Sequence, residues 1–257
     1  METRLDRYEG AREAKIAQLR ELIEKSKKIV FLGGAGVSTE SGIPDFRSKD
    51  GLYNQHDVRF DAYQPEYLLS NPCLEHEPKV FYEFYRQKMD ARGIAPNLAH
   101  YKLAEMEAMG KLDGVITQNI DGLHQAAGSK KVYEVHGSTL RNYCDRCGKK
   151  YPSDAIYTSE EAVPHCSCGG KIRPDVTLYG EMLPADAWSG AGRLIARADL
   201  LIVGGTSLTV YPASSLVSSY RGKYLVIVNR DATSQDSYAD LAFHDSIGTV
   251  FSHIKLD

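Results

Sequence analysis

An α/β fold built on a parallel sheet, with a smaller module set into it, is predicted by three features of the chain. Short apolar runs at residues 29–32, 113–117, 132–135, 200–203 and 224–228 alternate with stretches of helical spacing, and strands buried on both faces read as such near-continuous runs. Right-handed crossovers then place these strands in one sheet. A glycine-rich turn, Gly33-Gly34-Ala35-Gly36, follows the first run directly. Two stretches break the alternation: residues 48–95, divided by Pro65, Pro72 and Pro78, and residues 141–173, which carry four cysteines. The expected division is therefore a large domain of 1–47, 96–140 and 174–257, with 48–95 and 141–173 forming a small one.

With 257 residues, 42% hydrophobic and 25% charged, the chain can bury a full core. A formal charge of -3 gives no footprint for nucleic acid, and the pairs Lys130-Lys131 and Lys149-Lys150 read as solvated surface. No run approaches the ~18 apolar residues of a membrane span, and the start has no apolar core followed by a cleavage site. The expectation is a cytoplasmic protein without membrane contact. Five cysteines, four of them clustered, suit that compartment, and Cys73 reads as a small buried residue.

Taken in order, Leu5, Tyr8, Ile16, Leu19, Leu22 and Ile23 recur at helical spacing, so residues 5–25 read as a scaffold helix on the sheet. The first strand follows. Gly33, Gly34 and Gly36 then let the backbone turn sharply and approach a ligand, and Ser38 or Thr39 begins a short helix whose free N–H groups suit phosphate. Thr39 stands where the dinucleotide fingerprint has its third glycine, so by itself the turn equally fits an ordinary strand-to-helix connection. The tail Gly42-Ile43-Pro44-Asp45-Phe46-Arg47 has no simple packing reason. Proline ends the helix and leaves an acid, a ring and an arginine beside the phosphate site.

Residues 34–47 match every fixed position of Gly-Ala-Gly-x-Ser-x-x-Ser-Gly-Ile-Pro-Asp-Phe-Arg, and here the chain strongly resembles the sirtuins, the NAD-dependent protein-lysine deacylases. The resemblance covers nearly the whole chain. It implies a Rossmann-like NAD-binding domain, with Gly34, Ala35, Gly36 and Thr39 at the phosphate loop. Phe46 would shield the reactive ribose face, and the planar donors of Arg47 would meet phosphate. Asp45 would contact the cofactor or anchor the flap.

Further along, Phe81, Tyr82, Phe84 and Tyr85 form an aromatic cluster on a helix near 78–90, matching the family's mobile helical insertion. Asn97 caps a helix running to about Met109, and His100 tethers it. The second strand ends in Gln118, Asn119, Ile120 and Asp121, and the third in His136-Gly137; ligands of open parallel sheets gather at such strand ends. By resemblance, His136 is the general base, Asn119 orients ribose and water, Asp121 grips the nicotinamide carboxamide, Gln118 bonds the ribose, and Ile120 joins the cofactor site.

Cys144-x2-Cys147, an 18-residue gap and Cys166-x-Cys168 suit one tetrahedral structural zinc. The tight second pair leaves His165 as a rival ligand, and labile disulfides or free thiols as alternatives. The segment 173–181 resembles the family's peptide-pairing strand with Tyr179 for the usual Phe, which assigns Val176, Tyr179, Gly180 and Glu181 to substrate. Gly205, Thr206, Ser207 and Asn229 would complete the NAD site.

No acid closes a second strand about 20 residues after the glycine loop, as a dehydrogenase requires. One histidine, two amides and an acid instead suit cleavage of the nicotinamide bond, and the resemblance implies that the lysine acyl group then passes to ADP-ribose. The expected activity is deacetylation of acetyl-lysine proteins, by a monomer. Family members that remove succinyl or malonyl groups carry Tyr-x-x-Arg where this chain has Tyr85-Arg86-Gln87-Lys88, and Asp45 also favours acetyl. Mono-ADP-ribosyl transfer from the same site, or a zinc-ribbon binding protein on a relic fold, are the other classes.

Overall fold

The computed structural model describes residues 4–255, with side chains from Arg12 onward; the side chains of Leu5 and Tyr8 lie outside the described residues. Among the described residues the strands are β1 (Ile29–Gly33), β2 (Leu112–Thr117), β3 (Val132–Glu134), β4 (Gly137–Cys144), β5 (Lys150–Pro152), β6 (Ile172–Val176), β7 (Leu200–Gly204), β8 (Tyr224–Asn229) and β9 (Leu241–His244). Six form one parallel sheet in the order β3-β2-β1-β7-β8-β9. The chain winds outward from β1 to β3 and restarts at β7 on the other side of β1. The carboxyl ends of β1 and β7 therefore border the crevice in which such sheets bind ligands.

Both faces are covered, which is why β1 and β7 are buried throughout. On one side Ile16, Leu19 and Ile23 of the first helix (Arg4–Lys25) pack with Leu103, Met106 and Phe251; on the other, Leu194, Ile195, Leu216 and Val217 do. Among the described residues, no helix is long and apolar enough to cross a membrane. The short β9 and the helix Ile247–Phe251 behind it were not apparent in the sequence, since Leu-Ala-Phe-His at the sheet edge alternates burial with exposure.

The second sheet is antiparallel, in the order β5-β4-β6. The expected boundaries at 140/141 and 173/174 fall inside β4 and β6, because each strand runs unbroken between the main sheet's edge and the cysteine knuckles. The stretch 48–95 contributes the helices Pro65–Leu68, Asn71–His76 and Pro78–Lys88, each with proline in its first turn, where the missing N–H costs nothing. Their fully buried Phe81, Tyr82 and Tyr85 share one core with Ile156, Ile172 and Leu178, and the Tyr82 hydroxyl donates to the Ile172 carbonyl at 2.9 Å.

The short helix expected from Ser38 or Thr39 is a single 3₁₀ turn, Thr39–Ser41, preceded by another, Ala35–Val37. Left-handed Gly42, at φ 90°, ends the second turn just before Pro44, leaving no room for an α-helical turn to propagate.

Candidate active site

Gly33 and Gly204 lie opposite each other at the ends of β1 and β7, and the loops beyond them touch. The Gly34 N–H donates to the Gly204 carbonyl at 3.2 Å, and the Gly36 N–H to the Gly205 carbonyl at 2.8 Å. A Cβ on Gly36 would fall 2.8 Å from the Gly205 Cα, and one on Gly205, whose φ is +60°, would fall 2.4 Å from the Val37 nitrogen. These glycines are thus required first for loop to meet loop. Beneath them opens a cleft of about 1230 Å³ between the main sheet and the small unit. It is lined by every expected cofactor and substrate residue except Gly34, whose missing side chain faces Thr206 and Gly205 instead.

At the ends of β2 and β3, the His136 Nδ1 lies 2.9 Å from the Gln118 carbonyl. A carbonyl only accepts, so Nδ1 carries the proton and Nε2 is the bare base. Burial lowers the His136 pKa, and the Gln118 carbonyl opposes this only in part, so the ring is neutral at pH 7. Ser38 links the neighbouring groups: its hydroxyl donates to Asp121 Oδ2 at 2.6 Å and accepts from Asn119 Nδ2 at 3.0 Å. The Leu123 N–H donates to Asp121 Oδ1 at 2.9 Å. Ser38 is a site residue that sequence reading missed, having taken it only as a helix start. Thr139 holds the Ile120 carbonyl through N–H and hydroxyl, at 2.8 and 2.9 Å.

Toward the other end, the Thr206 N–H donates to Asn229 Oδ1 at 2.9 Å. Among the described residues, the buried amide nitrogens of Asn229 and Gln118 have no hydrogen-bond partner, although both residues line the cleft. An unsatisfied buried donor is unfavourable, and a hydroxyl-rich ligand such as a ribose fits that deficit. Ser207 pairs with Thr209 through their hydroxyls at 2.8 Å. Arg230, Asp231 and Ser246 also border this end and had no motif to announce them.

The flap is held by Asp45, whose Oδ1 accepts from the N–H groups of Arg47 and Ser48 at 2.9 and 2.7 Å. Its carboxylate thus anchors the flap, one of the two roles expected of Asp45. Phe46 packs edge-on against Tyr53, with ring centres 5.4 Å apart, and Arg47 Nη2 donates to the Tyr179 hydroxyl at 3.2 Å. Two of the residues expected at the substrate are also engaged within their own loop. The Glu181 carboxylate takes bonds from both Arg173 Nη atoms at 2.7 and 2.9 Å, from the Leu178 N–H at 2.9 Å and from Asn71 Nδ2 at 3.0 Å, so its side chain serves the fold. The Tyr179 N–H and C=O pair with Leu69 and Asn71, because a packed loop must satisfy its own backbone. Val176 and Gly180 border the cleft.

The four cysteine Sγ atoms of Cys144, Cys147, Cys166 and Cys168 lie within 4.8 Å of one another, with Cys144 to Cys168 at 3.4 Å and Cys147 to Cys166 at 3.7 Å. Zinc–sulfur bonds of ~2.3 Å require tetrahedral S···S edges of ~3.8 Å, so the set fits. No disulfide forms. His165 is outside the cluster, its Nδ1 being 3.3 Å from Glu161 Oε2.

The Sir2 family model matches residues 34–212 of this chain. An NAD-dependent protein deacetylase of Clostridium acetobutylicum is 49% identical over 93% of this chain and 98% of its own length. That of Clostridium perfringens is 51% identical over the same shares. Among solved structures, Sir2 with a deacetylated peptide and 3'-O-acetyl-ADP-ribose superposes with a TM-score of 0.85, at 40% identity, over 93% of this chain and 96% of the other. Sir2 with a peptide and NAD+ gives 0.82 at 40% identity over 93% and 96%.

Proposed function

The chain belongs to the Sir2 family, and from that premise we propose that it is an NAD-dependent protein deacetylase, which moves acetyl groups from lysine side chains to ADP-ribose and releases nicotinamide. The observation that carries the residue roles is the His136 ring, fixed through Nδ1 with its basic nitrogen bare, beside Asn119 and Asp121 at the strand ends.

Bound NAD supplies an electrophilic ribose carbon as its bond to nicotinamide breaks. His136 Nε2 takes the proton of a ribose hydroxyl, which needs a ring neutral at working pH. Asn119 and Asp121, held in register through Ser38, orient the ribose and the departing carboxamide. Gln118 and Asn229 place their free amide donors against ribose oxygens. Ala35, Gly36, Thr39, Gly205, Thr206 and Ser207 line the rest of the NAD site, and Phe46 keeps water from the reacting face. The acetyl-lysine enters along Val176, Tyr179 and Gly180. Cys144, Cys147, Cys166 and Cys168 hold one structural zinc ion, remote from the chemistry. We place the enzyme in the cytoplasm as a monomer acting on proteins, without direct contact to nucleic acid.

The deciding assay follows free-lysine peptide and nicotinamide together, from an acetyl-lysine peptide with and without NAD. Equal release of both products, dependent on NAD and reduced about a hundredfold or more in His136→Ala, is the expected result. Nicotinamide release with the peptide still acetylated would turn the assignment to ADP-ribosyl transfer. Cleavage of succinyl-lysine alone would turn it to acidic acyl groups.

A further inference from the structure

At the rim of the cleft, flap and substrate loop meet on one atom. The Tyr179 hydroxyl lies 3.0 Å from the Tyr53 hydroxyl and accepts from Arg47 Nη2 at 3.2 Å. The Arg47 guanidinium sits 5.7 Å from the Tyr53 ring centre, and Glu66 adds a loose ion pair at 3.9 Å. Both sides are anchored in the backbone. Tyr179 pairs with Leu69 and Asn71 at 3.0 Å each, while the Tyr53 N–H donates to the Phe46 carbonyl at 3.0 Å. Deleting the Tyr179 hydroxyl would therefore leave two ordered segments in place and remove the polar link between them.

We propose that the Tyr179 hydroxyl is a positioning group for NAD: it holds Arg47 and the Phe46–Tyr53 pair at the cleft rim before the ligand arrives. Arg47 is exposed and has a long side chain, so an unrestrained guanidinium would have to be ordered at the moment of binding, at the expense of affinity. A phenol oxygen suits this task, accepting from a guanidinium that can only donate. The bridge also joins the loop bordering the peptide entrance to the flap bordering the cofactor. This inference rests on the NAD-dependent reading above.

The test compares wild type, Tyr179→Phe, Tyr53→Phe and the double variant, by calorimetric titration with NAD and by steady-state deacetylation. Loss of the hydroxyl's bonds to Arg47 and Tyr53 is expected to raise the Kd and KM for NAD about three- to tenfold in Tyr179→Phe. The kcat should stay within about twofold and the Tm should hold, a split that a merely structural role would not produce. The double variant should bind NAD no more weakly than Tyr179→Phe alone, since the Tyr53 hydroxyl acts only through that of Tyr179. An unchanged or lower Kd in Tyr179→Phe would overturn the proposal, a lower one because the hydroxyl would then be holding Arg47 away from the ligand. So would a fall in kcat and Tm at constant KM. Failure of the deacetylase reading shows separately, as wild type that yields no free-lysine peptide while NAD binding is still read directly.

Discussion

His136 and the buried pair His100 and His124 are one residue type in two settings. His136 keeps one nitrogen on a carbonyl and one free in the cleft, with its pKa lowered by burial. A base must be unprotonated to work, so the acid limb of kcat/KM should lie below the usual histidine range near 6.5, with activity rising as pH rises through it. A pH profile of the wild type checks this. His100 and His124 meet edge-on with ring centres 4.8 Å apart, and burial lowers their pKa values to about 4 and about 3. Below pH ~6.5 the unfolded chain binds protons that these two rings refuse, so their contribution to stability is full above that pH and is lost as pH falls toward 4 and 3. His124→Leu should flatten the fall in urea midpoint between pH 7 and pH 5. At this scale the sequence was informative where a side chain sits in a motif: Asn97 caps its helix, and its N–H donates to His100 Nδ1 at 3.2 Å. Ser38 is also a motif position, but its role stayed hidden because it depends on strands 80 residues apart meeting.

Strands and helices were largely legible because apolar runs and prolines act locally. The glycines were legible as a turn, but their partner was not, since contact between the loops after β1 and β7 is a property of the sheet order. Gly205→Ala should be the more damaging substitution there, combining a left-handed φ with a 2.4 Å clash against backbone. NAD affinity should drop at least about tenfold, with a lower thermal midpoint, whereas Gly42→Ala meets no atom within 4 Å and suffers only the strain of its φ of +90°. Calorimetry and thermal melts on the two variants decide it. Glu181 shows the opposite limit: a motif suggested substrate, while four donors from Arg173, Leu178 and Asn71 claim the carboxylate for its own loop.

At the scale of the molecule, the sheet order turns remote segments into one cleft, and the metal knuckles complete the unit that closes its other side. The cysteine spacing announced the ligand set, and the fold removed His165 by turning it to Glu161. Cys166→Ser should abolish stoichiometric zinc and lower the melting temperature, since metal affinity in such sites is folding energy. Elemental analysis beside calorimetry measures both.

Strand β4 begins next to His136 and ends on Cys144, an eight-residue rod of about 26 Å. One end supplies a metal ligand and the other adjoins the base, so a single strand links the metal site to His136. A preparation short of zinc is then a mixture of working and dead molecules rather than a uniformly sluggish one. Its specific activity should follow metal content in a straight line, with turnover per bound zinc constant.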